Sequence, residues 1–191
     1  MALRRFISLF ALSLLLQPAA SAMTVEEAYR AIPHRYTPFD TKSAKMNFKE
    51  SACLESFFGL VNLAIVERVQ TLTWFQSKGK QGSSFQNYRK RVGDLITQLG
   101  VLTVPRNLEE VRRQVVEAIK DQRAYFEEWE QTMKKREPFK HALGSGLRHP
   151  RVLASSQKLQ QAYAQLMQLY PREETRNQQA FFDHLCALDF I

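Results

Sequence analysis

Apolar residues recur along this chain at alternating steps of three and four, the spacing that gathers them on one side of an α-helix. Leu54, Phe58, Val61, Ile65, Val69, Leu72 and Phe75 form the longest such stripe and predict a helix over 44–77. Its stretch 57–66 is apolar nearly all round, with Asn62 as the interruption. A bilayer needs about 20 apolar residues, so this predicts a buried helix centre and not a membrane span. Leu108, Val111, Val115, Ile119, Phe126, Trp129 and Met133 form a second long stripe, with Gln122 the polar residue inside it. Asn107 with Glu110 three residues on reads as its N-cap, and Lys134-Lys135-Arg136 as a basic last turn that suits the helix dipole. Gln122 is read either as a buried hydrogen-bonding group or as a flaw in the stripe.

Shorter stripes follow Ser84 (Phe85, Tyr88, Val92, Leu95, Ile96, Leu99), Pro150 (Leu159, Tyr163, Leu166, Met167) and Glu173 (Phe181, Phe182, Leu185, Leu188). No alternation of period two is long enough to predict a strand. The expected architecture is all-α: a helical bundle of about four main amphipathic helices plus short N-terminal and C-terminal helices.

The opening of the chain breaks this pattern. Arg4 and Arg5 precede the apolar run Phe6–Leu16, and Ala20-Ser21-Ala22 then supplies the small-x-small pattern of a signal peptidase site. Residues 1–22 are therefore expected to be a cleaved signal peptide, too short to anchor in a membrane. Met23 at the cut offers no thiol for lipid attachment. The expected destination is the Gram-negative periplasm, with full secretion as the alternative. Residues 23–191 then form one helical-bundle domain with an N-terminal arm at 23–43. Thr24-Val25-Glu26-Glu27 is a capping box that predicts a short helix over 25–31. Pro33 and Pro38 hold the following segment extended, with His34, Arg35, Tyr36 and Phe39 on it. Those four residues are docking-arm candidates; the simpler reading makes Tyr36 and Phe39 pegs over apolar surface.

Charge adds little. The net +8 falls to about +6 once Arg4 and Arg5 leave, and 19 acids are mixed among the bases. An anionic small molecule or surface suits that balance, and nucleic acid is not expected in such a compartment. Two cysteines, Cys53 and Cys186, in an oxidising compartment predict one disulfide.

Candidate chemistry is sparse. The loop between the last two major helices carries Lys140, His141, Ser145, Arg148, His149 and Arg151 around a Gly-Ser-Gly turn before a helix start. Free backbone N–H groups there favour an anion, though such turns are mostly connectors. None of the four histidines has a partner at helical spacing, and neither H-E-x-x-H nor E-x-x-H occurs, so no metal ligands are assigned. G-x-S-x-G, C-x-x-C and phosphate-binding glycine motifs are absent as well. No catalytic residue and no cofactor are assigned. The expected function is that of an exported, non-catalytic interaction or accessory module for another envelope protein. The alternative is a small-ligand or anion-binding bundle that uses an aromatic interior or the 140–151 loop.

Overall fold

The fold is that of a computed structural model and covers residues 23–77, 84–135 and 148–189; the expected signal peptide at 1–22 lies outside the described residues. Among the described residues there are six α-helices and no strand, which agrees with the all-α expectation. They are α1 (Val25–Ala31), α2 (Phe48–Gln76), α3 (Phe85–Val101), α4 (Glu109–Lys134), α5 (Pro150–Leu169) and α6 (Thr175–Leu188). Each long helix packs on the next, and α6 returns to pack on α2, so α2 to α6 close a ring around one core while α1 lies against α2.

Local chemistry sets most helix ends. The Thr24 hydroxyl accepts from Glu27 N and the Glu27 carboxylate accepts from Thr24 N, the reciprocal capping box that starts α1. Asn47 caps α2 and Ser84 caps α3 through the same type of contact three residues on. Arg112, reaching back from α4, donates to Gly100 O and Leu102 O at 2.7 and 3.0 Å and so satisfies carbonyls at the end of α3.

Two starts differ from expectation, and for one reason. The chain enters α2 at Phe48 and not near residue 44, because Lys45 N and Met46 N donate to the Glu173 carboxylate instead of turning into a helix. Glu173 is engaged there, so α6 begins two residues later, at Thr175. Asn107, expected to cap α4, sits in a short 3₁₀ turn (Arg106–Leu108), and its side chain donates to Glu50 at 2.7 Å. Glu109 and Glu110 still place negative charge against the positive end of the α4 dipole.

The core is aromatic at both ends. Phe75 stacks on Phe126 and Trp129 at 5.7 and 4.5 Å between ring centres, and Phe58 stacks on Phe181 at 5.9 Å. Between them lies a polar layer. Gln122 is 2 % exposed and donates to Ser155 Oγ at 3.0 Å and to Leu188 O at 2.7 Å, which settles it as a buried hydrogen-bonding group. Arg68, also buried, donates to Ala187 O, and Ser156 donates to Asp189 Oδ2 at 2.6 Å. Side chains from α2 and α4 thus satisfy the last carbonyls of α6 from inside the ring, and α5 holds the Asp189 side chain just beyond it.

The expected Cys53–Cys186 disulfide is not formed; both thiols are free. The cause is placement. Arg68 reaches the residue next to Cys186, and Cys53 lies fifteen residues earlier on the same helix, about 22 Å of axial rise. A disulfide needs Cα atoms within roughly 7 Å. Cys53 faces Thr103 instead, and Cys186 faces His34.

Candidate functional site

Helix α6 has a covered side and an open side. The arm lies over the covered side. Phe39 stacks against Phe181 at 5.9 Å, and Tyr36 meets the ring of His184 at 5.9 Å. His184 is 1 % exposed and its Nδ1 lies 2.7 Å from Ala180 O, so that nitrogen carries the hydrogen. Burial pushes its imidazole below the ordinary histidine value, despite the opposing pull of that hydrogen bond and of Asp183. Asn177 fixes the arm's backbone: it accepts from Asp40 N at 2.9 Å and donates to Asp40 O at 3.1 Å, as a neighbouring strand would. The described docking-arm candidates therefore divide. Tyr36 and Phe39 are half-buried pegs, Arg35 is exposed, and His34 is half-buried beside Cys186.

The open side is a groove of about 200 Å³ between α5 and α6, lined by Leu159, Gln160, Tyr163, Phe182, Leu185, Cys186 and Asp189. Phe182 meets Tyr163 edge-on at 5.6 Å yet stays 45 % exposed. Neighbours on a helix point about 100° apart, and on α6 this turns Phe181 into the core and Phe182 toward α5. Phe181 is fully buried and Phe182 is left to form the groove wall. The walls are mostly apolar. Polar character comes from the Asp189 carboxylate, the Gln160 amide and the Cys186 thiol, whose Sγ lies 3.8 Å from His34 Nδ1. Burial raises the Cys186 thiol above its ordinary value, and the charges of Asp189 and Asp183 raise it further. Deeper in, burial lowers Arg68 to about 10, with Asp189 opposing.

The candidate anion site looks different in three dimensions. His149 caps α5 by accepting from Arg151 N at its Nδ1, so its Nε2 carries the hydrogen and faces Glu128 at 3.1 Å. Arg151 lies 3.5 Å from both Asp121 and Glu128, and Lys158 also meets Asp121. Carboxylates of α4 thus face these cations. Arg148 is exposed, while Lys140, His141 and Ser145 lie outside the described residues.

Stripe reading placed Tyr163, Leu159 and Leu185 in the bundle but did not join them into a groove with Phe182 and Cys186. Phe182, placed on the same apolar stripe as Phe181 and Leu185, is the residue that turns outward, and no local pattern marks it. Among the described residues, no group of three or more His, Cys, Asp or Glu side chains is placed to hold a metal ion, and no helix is long and apolar enough to cross a membrane. Compared with protein families, with curated proteins and with solved structures, the chain finds no match.

Proposed function

We propose that this chain is an exported, non-catalytic interaction module of the cell envelope, cut after Ala22, that seats an apolar side chain of another envelope protein in the α5–α6 groove. The groove carries the reading. It is open to solvent, walled by a half-exposed phenylalanine, and sized for one side chain. At about 200 Å³ it is smaller than the ~300–1,000 Å³ typical of small-molecule and cofactor sites. Aromatic residues set in such a pocket are the usual anchors of protein interfaces. The export motif at 1–22 supports the compartment. The α4 carboxylates that already engage His149 Nε2 and the Arg151 guanidinium favour the groove over the 140–151 loop as the contact point.

The test is site-specific photo-crosslinking in the native envelope from position 182, with position 98 on the exposed face of α3 as control. The expected outcome is one discrete adduct from position 182 alone, lost when Tyr163→Ser is added. Adducts of equal yield from both positions would sink the reading. Phe182→Ser is expected to cost about 1–2 kcal/mol, since it gives up the edge contact with Tyr163 and a half-buried ring, and to abolish capture of that partner.

A further inference from the structure

The two thiols live in different surroundings. Cys53 is aimed at Thr103 O, 3.9 Å away, and the space beside it amounts to about 10 Å³. Cys186 lines a groove of about 200 Å³ and has an imidazole nitrogen 3.8 Å from its sulfur. An imidazole nitrogen and an apolar volume open to solvent therefore both meet the Cys186 thiol. They come from α6, the N-terminal arm and the α5–α6 cleft, three parts of the chain with no local reason to converge.

A covalent acceptor needs these parts. Metal binding would need further ligands, and no such group is present among the described residues. A nucleophilic thiol needs only a base and room for the reagent. The groove also restricts the reagent. Its walls are apolar and ring-sized, and no Lys or Arg among its lining residues is there to hold an anion.

We infer that Cys186 is an acceptor for disulfide exchange with an uncharged, low-molecular-weight disulfide that bears an aromatic or aliphatic group, with His34 as the proton acceptor. The thiol gives its proton to His34 Nδ1, and the sulfur attacks one sulfur of the incoming disulfide. A bond forms between Cys186 and that sulfur while the reagent's S–S bond breaks. The departing sulfur leaves with the electron pair and takes the proton back from His34. Cys186 is oxidised, the released thiol is the reduced product, and the disulfide itself is the oxidant. Because burial and the two aspartates keep Cys186 protonated at rest, its reactivity depends on His34 and on capture in the groove. This goes beyond the docking reading and shares with it only the accessibility of the groove; a small reagent tests it without any partner protein.

The experiment follows thiopyridone release from dipyridyl disulfide by the folded, purified protein, with oxidised glutathione as the anionic comparison. Cys53→Ser is expected to release one equivalent at the wild-type rate, and Cys186→Ser to react at least about tenfold more slowly. His34→Asn should slow the Cys186 reaction by roughly tenfold or more near neutral pH and flatten its pH profile, as loss of a positioned base does. Tyr163→Trp, which fills the groove and leaves His34 in place, should slow dipyridyl disulfide more than a minimal probe such as methyl methanethiosulfonate. Equal rates at both cysteines, a pH profile unchanged in His34→Asn, or a preference for oxidised glutathione would each overturn the inference. So would Tyr163→Trp slowing both probes alike. Loss of partner crosslinking with these rates intact would count against the docking reading alone.

Discussion

The two sides of α6 treat aromatic residues in opposite ways. On one side Phe181 is fully buried beneath Phe39 and Phe58, and an extended segment is strapped across it. On the other, Phe182 stands half-exposed over a groove that α5 approaches without filling. The covered side needs polar fixings. An extended arm has no ladder of its own, so Asn177 supplies a mimic of one, and the Glu173 carboxylate gathers Lys45 N, Met46 N and the Asn177 amide. On the open side Gln160 donates to Ser156 and Ser156 to Asp189, which join α5 to the end of α6, and among the described residues no strapped segment lies over Phe182. One helix thus serves as core on one face and as presented surface on the other, and the hydrogen-bond pattern, more than hydrophobicity, tells the faces apart.

This contrast can be broken from the covered side. Phe181→Ala should cost about 3–5 kcal/mol in chemical denaturation, since it empties the space under the arm and beside Phe58. A loss close to that of an ordinary surface exchange would mean that the two faces are equivalent after all. Asn177→Ala should cost about 1–3 kcal/mol, because Asp40 N and O lose their partner where water has limited access. The same variant should raise proteolysis within 34–46, and protection there equal to wild type would show that the aromatic pegs alone hold the arm.

The smallest effect is a titration. Burial pushes the Glu173 carboxyl up, but hydrogen bonds from Lys45 N, Asn177, Glu174 N and Met46 N outweigh it and hold the group below its ordinary value of 4.5. A carboxyl depressed in the folded state contributes stability above its unfolded pKa, and that contribution fades as pH falls through the folded one. Melting temperature should therefore drop below about pH 4.5 more steeply in the wild type than in Glu173→Gln. Parallel curves would place the acid sensitivity elsewhere, for instance at Asp40 or Glu110, which are depressed too.

The helices were legible because their stripes are long and their caps local: Thr24, Ser84 and Pro150 each act within a few residues of where they stand. Long-range partners defeated the same reasoning. Asn107 looks like a cap until Glu50, 57 residues away, takes its amide. Glu173 looks like a helix start until Lys45, 128 residues away, claims its carboxylate. Cysteine count suggested a bond that helix geometry forbids, because pairing depends on axial height and composition carries none. The groove was not legible locally, because Phe182 shares its stripe with Phe181 and Leu185 and nothing beside it marks it as outward-facing. What closes its other wall, α5, follows from the ring and not from any local pattern.

The hydrogen bond from Arg68 to Ala187 spans 119 residues, and it ties the middle of the first long helix to the last turn of the final one. Closing the ring and giving that last-turn carbonyl a donor are therefore one and the same contact: the helix that opens the ring supplies the hydrogen bond that the helix closing it lacks.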